Sequence, residues 1–441
     1  VPLPANPFGV WALLCFAWQG AAAWFAASQL RENDWWVLGL AVFFCVLMPS
    51  LTAMGPPLHS RIGHLSLLAQ FIPLFSLGLY IRTQRHRRSH TGAWTLLLVS
   101  AFYINFYLTA MAIAVLAACQ LDLYRKTANT RDLAVIAVPL AAIAVSVPLM
   151  LGTAFGHAVP DPGFGYYSMN LLSPVAQGSL VSMPFFVDAT GGQYEGYNYL
   201  GIGLIGLIAL SATRLARAGA DWQRPGLFLT IALAGCIVYA LSNEVYAGPL
   251  HLLHWRVPEP VRPLFETFRS SGRFFWPVSY ALVLYSVARF AHLRPAARIG
   301  LAAAVVLVQA ADLQPTFAGI KQSLKRQADE PADIAQWNAA LAGVETIHAF
   351  PKFKCDGALI REILPLQMVA ARGGYNLTTG FISRYGADCG ADAIAAEIAG
   401  SDPATSAYVF TRAQFSDAQI GSYLPAGAQC RQLDIWMVCR K

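Results

Sequence analysis

Long apolar runs separated by short polar stretches occupy the chain from its first residues to about residue 314. A helix needs roughly 17 to 25 such residues to cross a hydrocarbon core ~30 Å thick. The runs predict membrane helices near residues 8–27, 35–54, 64–81, 92–119, 133–152, 198–213, 226–243, 274–291 and 299–314. Several are short, which is common where a helix bends or is shielded by its neighbours.

Composition places the chain outside the range of ordinary soluble proteins. Of its 441 residues, 56% are hydrophobic and 12% are charged, and the mean hydropathy is +0.47. These values predict a polytopic membrane protein. We expect residues 1–314 to form an all-α transmembrane bundle.

Lysine and arginine in short loops favour the cytoplasmic side of a membrane and thus predict the orientation. They cluster in four loops, at Arg82, Arg85, Arg87 and Arg88, at Arg125, Lys126 and Arg131, at Arg214, Arg217 and Arg224, and at Arg294 and Arg298. The segment from Leu151 to Leu200 contains neither residue type. Residues 153–197, residues 244–273 and the tail after about 315 should therefore lie outside.

This orientation places both ends of the run 92–119 on one side, which a single straight helix cannot do. A helical hairpin or re-entrant pair broken near Asn105 resolves the conflict, and a misplaced arginine loop is the alternative. The N-terminus then lies outside. Because the chain opens "VPLPANPFGVWALLCF" without Met or a signal-peptide pattern, we expect its first helix and first external loop to be missing, with a processed mature chain as the competing interpretation.

Beyond residue 315 the pattern changes to that of a small α/β domain, residues 315–441. "VETIHAF", "LQMVAAR", "AYVFT" and "LDIWMV" predict strands, and "ADAIAAEIAG" predicts a helix ending at Gly400. Helix-start signals occur at Asp329 and Pro331.

The cysteines divide between the two regions. Cys15, Cys45, Cys119 and Cys236 lie in apolar runs, where a thiol behaves as a small hydrophobe, and the other four lie in the tail. Four cysteines permit three pairings. We favour Cys430 with Cys439, because "CRQLDIWMVC" can form a hairpin, and this leaves Cys355 with Cys389. Metal ligation is the alternative, but no Cys-x-x-Cys spacing occurs, so we predict no metal site.

Three polar clusters near the predicted outer face carry candidate chemistry. The first is "GPPLHSRIGHLSLL", with His59, Arg61 and His64; the three-residue step from Arg61 to His64 predicts a shared helical face. Cations at a helix N-terminus suit a phosphate. Anchoring to lipid headgroups is the competing interpretation.

The second cluster is "DATGGQYEGYNYLGIG", which supplies Gln193, Tyr194, Glu195 and Asn198 just before a predicted helix. This mixture of aromatic and hydrogen-bonding groups is typical of a sugar-binding surface, although an interfacial tyrosine belt would account for the aromatics. A carboxylate at this depth is costly unless it is paired or used. Glu195 is therefore the candidate catalytic residue.

The third cluster is "FRSSGRFFWPVSY", in which Arg269 and Arg273 are four residues apart and share one face if the helix has begun. The planar fork of arginine matches phosphate oxygens. Snorkelling to lipid phosphates is the plain alternative.

"SRIGHLSLLAQF", "GGQYEGYNYLGIGLIGL", "FRSSGRFFWPVSY" and the paired-cysteine tail together resemble an uncharacterised bacterial family of polytopic membrane proteins placed near the GT-C glycosyltransferases. The resemblance covers most of the chain. It implies a GT-C-like fold and sugar transfer from a polyprenyl-phosphate donor on the external face, with an acidic residue of the first external loop as base. That loop is the one this chain is expected to lack.

The resulting hypothesis is a glycosyltransferase with Glu195 as base and with His59, Arg61, His64, Gln193, Tyr194, Asn198, Arg269 and Arg273 binding substrate. Its partners are a polyprenyl-phosphate-linked sugar, membrane lipids and a cell-envelope glycan or glycolipid acceptor, with no cofactor and no nucleic acid. The expected location is a bacterial inner membrane with the C-terminal domain in the periplasm. A lipid or polysaccharide transporter or an assembly scaffold is the alternative.

Overall fold

The computed structural model describes residues 7–55, 60–151, 163–176, 188–213, 225–325, 333–353, 355, 360–381 and 386–441. They belong to two compact units. One comprises Asn6–Phe155 and Pro162–Lys325, and the other is built on Arg326–Lys441.

The first unit is a helical bundle. Its helices are α1 (Pro7–Leu30), α2 (Trp35–Val46), α3 (Pro49–Thr52), α4 (Phe71–His86), α5 (Thr91–Ile104), α6 (Phe106–Thr127), α7 (Arg131–Ala134), α8 (Ala137–Leu151), α9 (Ile202–Thr213), α10 (Leu227–Leu241), α11 (Arg262–Thr267), α12 (Trp276–Phe290) and α13 (Pro295–Lys325). Within the described residues, six segments are long and apolar enough to cross a membrane: Pro7–Leu30, Trp35–Thr52, Leu65–His86, Phe106–Thr127, Arg131–Met150 and Pro295–Gln314.

The predicted hairpin around Asn105 is present. Asn105 has extended backbone angles between α5 and α6, and its side chain accepts a hydrogen bond from the Tyr107 amide to start α6. The Gln120 amide of α6 donates to the Ser89 hydroxyl, just before α5, at 3.1 Å. The ends of α5 and α6 that are remote from Asn105 therefore lie together, as expected from the basic residues in the loops that follow and precede them.

The polar contacts show which loops lie together at each end of the bundle. At one end, Arg298 pairs with Asp34 at 3.0 Å, and Arg85 donates to the Gln29 carbonyl at 3.2 Å. The contacts Asn105–Ser66, Ser270–Tyr107 and Met169–Ala240 lie at the other end. The arginine loops around Arg85 and Arg298 thus share one end, as predicted, while Arg214, Arg217 and Arg224 fall outside the described residues.

Buried polar side chains of one helix satisfy the free amides at the start of another. Both carboxylate oxygens of Asp122 accept from the first amides of α10, at 3.1 Å each. Asp312 and Gln309 of α13 accept from the amides of residues 202–204 at the start of α9. The first amides of a helix have no partner within that helix, and apolar surroundings cannot supply one, so these contacts fix where α9 and α10 dock.

The bundle is not purely helical, which corrects the all-α prediction. Strands β1 (Glu244–Ala247) and β2 (Leu250–His254) form an antiparallel hairpin that turns at Gly248, where φ is 59°. Every residue of β2 is exposed. With no buried face there was no alternation of apolar and polar residues to reveal the strand.

The second unit is a five-stranded mixed sheet covered on both faces. Its elements are α14 (Ile334–Ala340), β3 (Thr346–Phe350), α15 (Ile360–Gly373), β4 (Asn376–Leu377), α16 (Ala391–Ala399), β5 (Ser406–Thr411), α17 (Asp417–Tyr423), β6 (Gln429–Leu433) and β7 (Trp436–Arg440). The strand order is β4-β3-β5-β7-β6, with β4, β3 and β5 parallel. Helices α14 and α15 pack on one face, and α16 and α17 pack on the other.

One predicted strand of this unit was wrong, and a second was right only in part. "LQMVAAR" lies within α15, where Ile363, Leu366 and Val369 recur at helical spacing and are buried. "LDIWMV" spans the turn between β6 and β7, where Asp434 has a φ of 51°. The predicted strands at β3 and β5 and the helix ending before Gly400 are confirmed.

Both predicted disulfides are present. Cys430 and Cys439 are direct partners across the β6–β7 hairpin, and Cys355 is bonded to Cys389. The other four cysteines are free and buried. Cross-linking therefore stabilises the second unit, while the bundle thiols serve as apolar filling.

Orientation can be tested with single cysteines at Ser89 and Ala189, in a background where the four free bundle cysteines are replaced by alanine. If the arginine loops are cytoplasmic, an impermeant thiol reagent should label Ala189→Cys in intact cells and should label Ser89→Cys only after permeabilisation. The second step controls for burial of position 89. Labelling of both positions in intact cells would contradict the orientation.

Candidate functional site

Glu195 lies between two arginines that are distant from it in sequence. Its carboxylate is 3.4 Å from Arg61 Nη1, 2.8 Å from Arg273 Nη2 and 3.1 Å from Arg273 Nε. Arg273 thus presents two nitrogens to the two oxygens, the fork geometry that also suits phosphate. All three side chains are at most 9% exposed. We call Arg61, Glu195 and Arg273 the Arg–Glu–Arg cluster.

Each arginine is also held by groups outside the cluster. Arg61 Nε donates to the Ser50 carbonyl at 3.0 Å, and its guanidinium lies 5.1 Å from the centre of the Trp276 ring. The Arg273 guanidinium lies 4.8 Å from the centre of the Tyr107 ring. Cation–π contact with these rings stabilises positive charge in a site with little water.

Two glycines let the segments that carry Glu195 and Arg273 approach each other. Glu195 lies in the 3-10 turn Gln193–Gly196, and Arg273 lies in the 3-10 turn Ser271–Phe275. A Cβ on Gly272 would be 2.5 Å from the Gly196 Cα, so a side chain at position 272 would force the two turns apart. The Asn198 amide bridges the carbonyls of Gly196 and Gly272 at 3.0 and 2.8 Å.

The loop before Glu195 is organised by a carboxylate that the sequence analysis did not assign. Asp188 accepts from the backbone amides of Gly191, Gln193 and Tyr194 at 2.8 to 3.1 Å. The Gln193 side chain is buried and bonds to Asn170, Ser168 and the Ala189 amide. Gln193 and Asn198, both predicted to bind substrate, therefore hold the turns that position Glu195.

The other predicted site residues surround the cluster. The His64 side chain is more accessible than those of the cluster, at 43% exposed, and its Nε2 lies 3.9 Å from Glu195 Oε1. Tyr194 is half-buried, and its ring lies 6.2 Å from that of Tyr167, over which the Arg269 guanidinium lies at 5.1 Å. His59 falls outside the described residues.

Neither pair of residues predicted to share a helical face does so. Arg61 and His64 precede the 3-10 turn Leu65–Leu68, and they converge on Glu195 through a turn in which the His64 amide bonds to the Arg61 carbonyl. Arg269 precedes the start of α12 at Trp276, so it shares no helical face with Arg273.

The cluster retains positive charge and keeps Glu195 ionised. Burial alone would raise the pKa of the Glu195 carboxyl, but the Arg273 and Arg61 guanidinium groups outweigh burial and hold this pKa at about 2. Burial, opposed by Glu195 and reinforced by the two arginines, lowers the pKa of the His64 imidazole. Two cations against one anion leave one net positive charge, which favours an anionic ligand.

Several residues that contact the two arginines could not be identified from the sequence. Tyr107, Trp276 and Ser50 contact the arginines from helices whose residues look like ordinary apolar or small helix positions. Among the described residues there is no group of three or more His, Cys, Asp or Glu side chains placed to hold a metal. The arrangement can bind an anion or position charged groups for acid–base chemistry.

Apolar helices of spanning length, with a buried charged cluster at one end, define a polytopic membrane protein. The chain belongs to the DUF6311 family: the model "Domain of unknown function (DUF6311)" matches residues 1–314, and "DUF6311 C-terminal domain" matches residues 336–441. Comparisons with curated proteins and with solved structures gave no match.

Removing the charge of Glu195 should destabilise the bundle, because it leaves two arginines buried without their counter-ion. For Glu195→Gln we expect a loss on the order of 3 to 5 kcal/mol in the free energy of unfolding. Glu259→Gln is the matched control, since Glu259 pairs with Arg262 at the surface and should cost less than about 1 kcal/mol. Denaturant unfolding of purified protein measures both; equal losses would mean that the cluster contributes no more than a surface pair.

The difference in the free energy of unfolding between the parent protein and Glu195→Gln should depend on pH in a defined direction. The Glu195 pKa of about 2 in the folded protein lies below the value of about 4.3 for a free glutamate. Its contribution is therefore complete above pH ~4.3 and is lost as the pH falls through the folded value. The stability gap between the parent protein and Glu195→Gln should be constant from pH 7 to about 5 and should narrow toward pH 2. A gap that widens on acidification would contradict the assignment.

Proposed function

We propose that this protein is a membrane glycosyltransferase of the GT-C type that takes a sugar from a polyprenyl-phosphate donor. The observation that carries the proposal is the Arg–Glu–Arg cluster, a buried site of net positive charge at one end of a bundle of apolar helices. A polyprenyl-phosphate donor combines a membrane-embedded chain with an anionic group, and both features have a counterpart there.

The donor phosphate would compete with Glu195 for Arg273. That arginine already places Nη2 and Nε against two carboxylate oxygens, and two phosphate oxygens can accept the same pair of hydrogen bonds. His64, the more exposed neighbour, would contact the phosphate from the open side of the cluster. Arg269 and Tyr194, which both contact Tyr167, would bind the sugar or the phosphate.

The same competition gives Glu195 a route to act as base. While two arginines engage it, the carboxylate has a pKa of about 2 and is a weak proton acceptor. When the phosphate draws Arg273 away, Glu195 loses its strongest partner and its pKa rises. The acceptor hydroxyl oxygen then bonds to the anomeric carbon, the bond from that carbon to the phosphate oxygen breaks with its electron pair passing to the phosphate, and the hydroxyl proton passes to Glu195.

The non-catalytic alternative is a transporter or assembly scaffold that binds the same lipid without breaking it. The buried ion pairs of Glu195 with Arg61 and Arg273 favour this alternative. Such pairing suits a residue whose only role is to hold the two arginines in place. Binding and transfer therefore have to be measured separately. In the proposed function the acceptor is a cell-envelope glycan or glycolipid, and the chemistry occurs on the periplasmic face of a bacterial inner membrane.

Arg273→Lys should weaken donor binding roughly 10-fold, because lysine keeps the charge but loses the fork, and Arg273→Ala should weaken it further. Arg262→Ala, at an exposed arginine of the same external segment, is the control and should bind like the parent protein. Binding of radiolabelled polyprenyl-phosphate sugars to purified protein measures the effect. Parent-like binding by both Arg273 variants would overturn the phosphate site.

Transfer to an added acceptor distinguishes the enzyme from the scaffold. Glu195→Gln should retain donor binding and lose most turnover if Glu195 is the base. Only variant protein that remains folded, as judged by a single gel-filtration peak, is compared. Donor binding without transfer by the parent protein, across a panel of sugars and acceptors, would favour the scaffold.

A further inference from the structure

The bundle contains a large cavity whose basic rim lies at the end opposite the Arg–Glu–Arg cluster. It has a volume of about 1040 Å³ and is bounded by α1, α4, α10 and α12. Helix α12 starts at Trp276, beside Arg61, and reaches the cavity lining residue Ala288 twelve positions later. At 1.5 Å per residue this places Ala288 about 18 Å along the helix from the cluster. We call this space the basic-end cavity.

The walls and the rim of the basic-end cavity differ in chemistry. Apolar side chains form most of the wall, including Leu77, Ile81, Leu229, Leu233, Leu282 and Val278. Cationic side chains stand at the rim, namely Arg31, Arg85, Arg87 and Lys126. An apolar cavity is poorly suited to water, because water needs polar partners, whereas a hydrocarbon chain needs none.

The rim has more positive charge than its neighbours neutralise. Arg85 has Glu32 at 4.0 Å, with both side chains largely exposed. Across the part of the chain that the structure describes, no acidic side chain lies within ion-pair distance of Arg87 or Lys126. Arg87 and Lys126 also lie at the C-terminal ends of α4 and α6, where carbonyl groups favour cations.

Loop orientation alone does not account for this arrangement. Basic residues are expected on the cytoplasmic side of any such bundle, and Arg88 and Arg125 in the same loops do not line the cavity. Orientation does not explain why an apolar cavity of this size lies directly beneath the four cations of the rim. A molecule with an apolar chain and an anionic head satisfies both parts at once.

We propose that the basic-end cavity binds an anionic phospholipid of the surrounding bilayer. One acyl chain lies among Leu229, Leu233 and Leu282, and the phosphate lies against Arg85, Arg87 and Lys126. The site is separate from the Arg–Glu–Arg cluster, and the inference does not depend on the proposed transferase activity.

Native mass spectrometry of the full chain tests the proposal, with phosphatidylglycerol and phosphatidylcholine of identical acyl chains as probes. The parent protein should retain phosphatidylglycerol in preference to phosphatidylcholine. Arg87→Gln combined with Lys126→Gln should lower phosphatidylglycerol affinity about tenfold or more. The matched control, Arg88→Gln combined with Arg125→Gln, removes the same charge from the same loops and should bind like the parent protein. Equal losses of phosphatidylglycerol affinity in the two double variants would mean that general surface charge causes the effect, and would overturn the proposed site.

A second pair of variants tests whether an acyl chain of the lipid occupies the cavity. Leu233→Trp should fill the cavity and displace phosphatidylglycerol, whereas Val238→Trp, on the same helix but 66% exposed, should not. Retention of phosphatidylglycerol by Leu233→Trp would show that the lipid does not enter the cavity. A rise in Tm with inorganic phosphate alone, equal to that with phosphatidylglycerol, would identify a free-anion site and also overturn the proposal.

Discussion

The buried carboxylate of Glu195 is the constraint on which the organisation of one end of the bundle depends. A carboxylate that is 7% exposed is stable only if it is paired, and its partners come from two other segments of the chain. Arg61 approaches from the loop before α4, and Arg273 approaches from the turn before α12. The pairing thus ties three loops together, and the close approach of Gly196 to Gly272 makes the required geometry possible.

The same requirement, that polar groups in apolar surroundings find partners, explains the polar residues deeper in the bundle. Asp122 and Asp312 are almost completely buried, and each accepts from the free amides at the start of a neighbouring helix. Both carboxylates have a structural role, because each accepts from backbone amides and from a tyrosine hydroxyl, Tyr80 for Asp122 and Tyr199 for Asp312. The Arg–Glu–Arg cluster differs because its carboxylate is paired with side chains and because two guanidinium groups against one carboxylate leave a net positive charge.

Two cationic sites therefore stand at opposite ends of one apolar bundle. The Arg–Glu–Arg cluster is buried and partly neutralised, which suits a ligand bound through a few directed hydrogen bonds. At the rim of the basic-end cavity, Arg87 and Lys126 are exposed and have no acidic side chain within ion-pair distance among the described residues, which suits a lipid headgroup held by charge. The two sites therefore differ chiefly in how far their charged side chains are buried.

Features that depend on neighbouring residues could be predicted from the sequence. Apolar length indicated the helices, Asn105 marked the hairpin, and the spacing of Cys430 and Cys439 indicated a cross-strand disulfide. Glu195 stood out because an acid near apolar runs requires a partner. Only the tertiary structure identified those partners, since Arg61 and Glu195 are 134 residues apart and no local pattern links them. The local β1–β2 hairpin could not be predicted either, because its exposed strand has no alternating pattern. The structure likewise revealed the aromatic rings under the arginines and the basic-end cavity, because packing between distant segments decides both.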